Sequence, residues 1–280
     1  MTAVLHSKDY SGETVLYMAM ELSNSKWKLG FSNGNRDRIV PIDAGNWEAL
    51  LKQIDLAREK LRLPEDCPVI SCFEAGRDGF WIHRMLEICG IRNLIFDSSS
   101  IEVDRRKRRA KTDKVDVKAL LRLLQRYLDG ERKAVSVVRV PSPDEEDQRR
   151  LNRERERLIK EHGAHVVRIK SLLVQHGVRT PIGRNFPEWL ETIGDGLGNE
   201  LGSNLKTELV REYERLQLVK RQIKELHQEQ KRRVKEEKTK AMEQIITLMQ
   251  LRGVGPQSSW ILVMEFFVWR KFKNRRELAA

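Results

Sequence analysis

Two six-residue runs, 15–20 (VLYMAM) and 68–73 (PVISCF), are apolar almost without a break. A run of that kind is the mark of a strand buried on both faces, which requires a sheet with cover on each side. The stretch 24–31 (NSKWKLGF) alternates instead, as a half-exposed strand does, and 38–42 supplies a third strand nearby. Strands spaced so closely predict antiparallel hairpins. Residues 47–61 then place Trp47, Leu50, Leu51, Ile54 and Ala57 at a helical period. A helix over about 79–89 and a short strand at 94–96 follow the second buried run. Three hairpin strands, then helix and strand in alternation, predict a mixed α/β domain. With 40% hydrophobic residues over 280 positions, a wholly disordered chain is excluded.

The charge is divided unevenly. Residues 1–100 carry a net charge of −2 and the remaining 180 carry +14, which together give the overall +12. Such an asymmetry points to a near-neutral domain followed by a region that meets a polyanion. The change is sharp at 104–111 (DRRKRRAK), where Arg105, Arg106, Lys107, Arg108, Arg109 and Lys111 make six basic residues of eight. With Lys114 they are candidate nucleic-acid contacts. An amphipathic helix, 112–128, comes next, with Thr112 placed as its cap. Pro141 and Pro143 mark a boundary. A long charged helix is expected over 144–176, with Leu151, Leu158, Ile159, Val166, Ile169, Leu172 and Leu173 on one side. A glycine-rich hairpin spans 177–203, and a second long helix is expected over 204–249.

In that second helix Leu209, Leu216 and Ile223 recur every seven residues, and Val219 with Leu226 forms another row. At 1.5 Å per residue it would be roughly 70 Å long. So narrow an apolar stripe needs the first long helix, a second copy of the chain, or both. An antiparallel coiled coil and a homodimer or higher oligomer are the expectation. Gly253, Gly255 and Pro256 then separate two apolar helices, and a G-x-G turn there leaves backbone N–H groups to hold a phosphate or simply joins the helices tightly. The domains expected are 1–140, 141–240 and 241–280.

Three cysteines, Cys67, Cys72 and Cys89, form no framework and fit a reducing cytosol. The apolar stretch 260–269 is too short to span a bilayer and contains Glu265. A soluble, cytoplasmic protein without membrane partners is expected. His162, His165 and His176 lack the further ligands of a metal site. Trp27, Trp47 and Trp81 occupy apolar-periodic or strand positions and are expected in the core.

Both buried runs end in an acid, Glu21 and Glu74, and Asp113 and Asp116 share one face of the first turn of the helix at 112–128. Carboxylates beside a hydrophobic core are costly unless a cation or partner offsets them. Each acid has a plain explanation, as a strand-end charge or as a favourable first-turn acid. If the helix lies over the strand ends, the four converge. Such a set of hard oxygen donors suits Mg²⁺ or Mn²⁺, and paired ions of this type support phosphodiester transfer. Asp97, after the last strand, lies near the set, and Gly76, two residues after Glu74, would let substrate or backbone approach closely.

The segments MAMELSNSKWKLGF, CFEAGRDGFW, KRRAKTDKVDVKALLRLL and LRGVGPQSSWILVMEF, in that order, resemble the DEDD transposases of the insertion-sequence one-ten family. The resemblance covers essentially the whole chain. It implies an RNase H/RuvC-like domain with a mixed sheet and flanking helices, a long helical coiled coil, and the start of an α-helical C-terminal transposase domain. It also implies recombination of mobile DNA directed by a structured guide (bridge) RNA, with Glu21, Glu74, Asp113 and Asp116 as the catalytic metal ligands. The family usually has Asp where Glu21 stands. Its members continue past the L-A-A of 278–280 into a motif bearing a DNA-attacking serine, so a C-terminally truncated member is the expectation. A nucleic-acid-binding remnant without chemistry, a RuvC-like structure-specific nuclease and a purely structural coiled-coil dimer are the competing readings.

Overall fold

The computed structural model describes residues 14–101, 113–268, 272 and 274–276, without the side chains of Asp113 and Lys114. The chain divides into two units, Met1–Val140 and Pro141–Ala280.

In the first unit β1 (Leu16–Leu22), β2 (Lys26–Ser32) and β3 (Asp37–Asp43) form an antiparallel meander. The helix α1 (Trp47–Leu61) leads to β4 (Val69–Glu74), which pairs parallel with β1. After α2 (Trp81–Ile88), β5 (Arg92–Phe96) pairs parallel with β4, giving the order β3-β2-β1-β4-β5. This five-stranded mixed sheet is consistent with an RNase H-like α/β domain. The two uninterrupted apolar runs are β1 and β4, which lie inside the sheet and are covered on both faces. The edge strand β3 is mostly accessible and carries Pro41, whose missing N–H is tolerated only at an edge.

Side chains alternate between two cores, as strand geometry dictates. Met18, Met20, Trp27, Leu29 and Phe73 meet Leu50, Ile54 and Ala57 of α1 and Ile82 and Leu86 of α2. On the other face Ala19, Ile70, Cys72 and Phe96 meet Val117, Leu120, Leu121 and Leu124 of α3 (Asp113–Leu128). Gly30 lets that helix approach: a Cβ there would overlap Cγ1 of Val117. At α1 the Asn46 side chain accepts from the amide of Ala49 at 2.9 Å, and Arg62 closes the helix in the left-handed region at φ 55°. The three cysteines are free thiols, and burial pushes the Cys72 thiol up.

The second unit departs from the two long helices expected. The first is divided into α4 (Pro143–Gln148) and α5 (Arg150–Gln175). Ser142 and Glu145 form a reciprocal capping box that starts α4, and the break falls at Arg149, whose buried guanidinium meets Glu265 at 3.9 Å. Ile159, expected on the inner side of α5, is exposed. The hairpin contains a short helix, α6 (Phe186–Leu190), packed on Tyr213 with Phe186 stacked at 5.1 Å.

The second long helix is also two helices, α7 (Ser203–Glu236) and α8 (Lys240–Met249). Glu237 is extended, and Thr239 caps α8 by accepting from the amide of Met242 at 3.3 Å. The buried side changes there, since Ala241, Met242 and Ile245 face Trp260, Val263 and Met264, with Leu151 of α5 packed against the cluster. At 34 residues, α7 is about 51 Å long, shorter than the 70 Å expected. It runs antiparallel to α5, because Arg155 meets His227 while His165 meets Glu212. After the turn at Gly253 (φ 88°), α9 (Pro256–Leu262) continues into a π-turn, Val263–Phe267. Among the described residues no helix is long and apolar enough to cross a membrane.

Candidate functional site

Strand parity places the two strand-end acids together. Met20 of β1 pairs with Phe73 of β4, and both point into the core beneath α1 and α2. The next residue on each strand, Glu21 and Glu74, therefore points to the opposite face, the one covered by α3. Lys28 sits opposite Glu21 in the β1–β2 ladder. Both acids line a cleft of about 460 Å³ walled by the β1–β2 turn and by the segment from Phe73 to Gly79.

Local hydrogen bonds hold both walls. In the β1–β2 turn the Ser23 hydroxyl donates to the carbonyl of Lys26 at 2.6 Å and accepts its amide at 3.2 Å. The Lys26 ammonium meets Asp43 at 2.6 Å. On the other side the amide of Ala75 donates to the carbonyl of Phe96, and Ser98 donates to the carbonyl of Ala75 at 2.7 Å. Gly79 turns the chain into α2 at φ 66°. Gly76 has room for a Cβ, which would meet only the carbonyl oxygen of Glu74 at 3.8 Å.

The direction of α3 follows from three contacts. Gln125 donates to the Ser32 hydroxyl at 3.1 Å, and Ser32 is level with Tyr17 of β1. Val117 meets Gly30, which is level with Ala19. The thiol of Cys72 lies 3.7 Å from the carbonyl of Leu120. As β1 advances from Tyr17 to Ala19, α3 recedes from Gln125 to Val117, so the two run antiparallel. The first turn of α3, with Asp113 and Asp116, is therefore directed toward the strand ends that carry Glu21 and Glu74.

Asp116 is half-buried in that turn but does not line the cleft. The Asp113 side chain lies outside the described residues. Among those described, no group of three or more His, Cys, Asp or Glu side chains stands close enough to hold a metal. Of the four expected acids the structure brings Glu21 and Glu74 into one cleft, whose wall also carries Asp78. Arg105, Arg106, Lys107, Arg108, Arg109 and Lys111 lie outside the described residues, as does the side chain of Lys114. Asp97 caps the 3₁₀ turn Ser98–Ser100 by accepting from the amide and hydroxyl of Ser99.

Elsewhere charged groups are structural. His165, Arg168 and Arg215 converge on buried Glu212, and Glu265 accepts from Arg153 at 3.0 Å. Burial pushes the Glu212 carboxyl up, and hydrogen bonds from His165, Arg168 and Arg215 more than reverse this, holding it down at about 2. Gly255 precedes α9 and Gly253 has open space around it.

One feature of the cleft's surroundings differs from expectation. Trp27 is in the core and Trp47 is half-buried, but Trp81 is 46% exposed. The signal available was the second apolar row of α2, Trp81, Met85 and Ile88, beside the buried pair Ile82 and Leu86.

No protein-family model matches the chain. It is 37% identical over 284 residues to a protein of Sinorhizobium fredii (strain NBRC 101917 / NGR234) named "Putative transposase y4rJ". That similarity covers 95% of this chain and 70% of the relative.

Proposed function

Because the chain belongs to the transposase family of its rhizobial relative, we propose that it cuts and transfers DNA strands as a guide-RNA-directed, DEDD-type enzyme of the insertion-sequence one-ten kind. The observation that carries this reading is the placement of Glu21 and Glu74 on neighbouring parallel strands, facing the side toward which the first turn of α3 points. Glu21, Glu74, Asp113 and Asp116 are the residues that would hold Mg²⁺ or Mn²⁺. All are hard oxygen donors, and two of them already share a cleft. Bound there, divalent ions would activate the attacking oxygen and stabilise the leaving one.

The chain's own residues prepare that chemistry. The β1–β4 pairing puts two carboxylates on one face of the sheet, and the packing of α3 on Gly30 directs the first turn of that helix, which carries the other two acids in its sequence, toward the same strand ends. Glu21 reaches one methylene further than the Asp usual in the family. The segment 104–111, with Lys114, supplies positive charge for the DNA and RNA backbones, with the Gly253–Gly255 turn as a further backbone contact. The antiparallel pair α5–α7 is the coiled-coil arm through which copies associate, its exposed Ile159, Val167 and Val174 recurring on one side of α5.

The test is purification from cells, sequencing of co-purified RNA, and DNA cutting in Mg²⁺ or Mn²⁺. A single structured RNA should be recovered, and Glu74→Gln should reduce cutting at least ~100-fold, since even groups behind metal ligands cost 10–100-fold. Affinity for RNA should stay within about twofold. Recovery of random RNA or none would overturn guidance, and full activity of Glu74→Gln would overturn the metal site. RNA binding without cutting in either metal would favour a binding protein instead.

A further inference from the structure

We propose that Trp81 is a stacking platform for an unpaired nucleobase of the strand whose backbone enters the Glu21–Glu74 cleft. This deepens the reading of that cleft as a DNA-cutting site and rests on it. Three indoles stand at the end of the sheet where β1 and β4 finish. Trp27 and Trp47 meet edge to face with centroids 5.4 Å apart at 76°. Trp81 packs against Trp47 at 5.8 Å and 78°, and against Trp27 at 6.1 Å and 46°. Trp27 is 1% exposed and anchors the group in the core, while Trp81 presents indole surface to solvent.

The group adjoins the cleft along the chain on both sides. Trp27 pairs with Leu22, a lining residue, and Trp81 follows Gly79, another, by two positions. The adjoining cleft lining is polar and charged, with Asn24 and Arg77 beside the carboxylates Glu21, Glu74 and Asp78. The Arg77 side chain is largely exposed, and its nearest acid, Asp78, is 3.4 Å away. Arg77 stands four residues before Trp81, a cation for the phosphate of a base stacked there. An apolar partner would instead meet a charged rim on this side. Trp81 is also packed against two rings, and a ring held by neighbours loses little freedom when a base lands on it. Stacking of this type tolerates any base and suits single-stranded or frayed ends.

The experiment uses the full chain and a single-stranded DNA carrying 2-aminopurine at successive positions, in EDTA so that cutting plays no part. One position should be quenched on binding. Trp81→Ala should abolish that quenching and weaken binding ~5- to 150-fold, the fold-change expected for one base–aromatic stack. Trp81→Phe, which keeps a ring, should recover part of both and guards against a loss caused by misfolding. Unchanged quenching and affinity in Trp81→Ala would overturn the proposal. So would loss of an oligomer in mass photometry with unchanged DNA affinity, which would make the Trp81–Ile88 row a protein-docking face. Quenching that persists beside an inert Glu74→Gln substitution would separate the platform from the metal reading. Metal-dependent cutting without quenching would do the converse and sink the platform alone.

Discussion

The close packing of α3 on β2 at Gly30 makes a quantitative prediction for Gly30→Ala. The glycine does not occupy the left-handed region, so its replacement brings no backbone strain and gains about 0.4–1 kcal/mol from a less flexible unfolded chain. Against this, the new methyl would overlap Cγ1 of Val117 and stand 3.0 Å from Cδ1 of Leu121, two fully buried side chains. Overpacking of this kind costs ~1–3 kcal/mol, leaving a net loss of about 1–2 kcal/mol. Val117→Ala alone removes two buried methyl groups and leaves a space, for a loss of ~2–3 kcal/mol. In the double variant the methyl at 30 takes the space vacated at 117. The pair should therefore be less destabilising than the sum by about 1–2 kcal/mol, well beyond the ~0.5 kcal/mol scatter of independent sites. Urea unfolding read by hydrogen exchange in β1 and β2 peptides reports on this unit separately from the second. DNA cutting gives a second readout, since α3 carries Asp113 and Asp116 and a displacement near 1 Å can cost ~100-fold. Cutting should fall in Gly30→Ala and recover in part in the double variant. Strict additivity, or a neutral Gly30→Ala, would refute the placement of α3 and with it the four-acid site.

Two further predictions concern the second unit. Glu212 is held at about 2 in the folded chain, below its ordinary 4.5, so its contribution to the α5–α7 pair is fully present above pH 4.5 and is lost as pH falls toward 2. Hydrogen exchange of α5 and α7 from pH 5 to 2.5 should reveal this loss, and Glu212→Gln should flatten it while costing about 1–3 kcal/mol at neutral pH. Thr239→Ala removes the cap of α8 and should lower protection of its amides by about 1 kcal/mol. A protection pattern unchanged in α8 would mean that the helix start is set by packing alone.

Most of the first unit was legible because its central strands are buried on both faces and therefore read as unbroken apolar runs. The helix at 47–61 has the boundaries expected from its period, with Asn46 as a side-chain cap. In the second unit the charged helical patterns concealed two breaks, at Arg149 and after Glu236. Glu236 to Lys240 continues the composition of α7, and only Thr239, a capping residue inside a charged run, marks the change of partner. The five-residue α6 was hidden among glycines, although Phe186 and Leu190 are the residues that close the hairpin.

The site was legible in its chemistry but not in its geometry. The positions of Glu21 and Glu74 after apolar runs identify them as strand-end acids, yet their shared face depends on the pairing of Met20 with Phe73, a register made by the fold. Trp81 presents the opposite case. Eight residues of α2 carry two adjoining apolar rows, Ile82 with Leu86 and Trp81 with Met85 and Ile88, and one short helix can press only one row into a sheet. Hydropathy alone assigns every tryptophan to the core. The width of the apolar arc says that one row must remain outside, and its N-terminal end is the indole that follows the cleft-lining Gly79 by two positions. Packing on Trp27 and Trp47 already stabilises the ring, and the indole surface left outside is what a stacked base would meet.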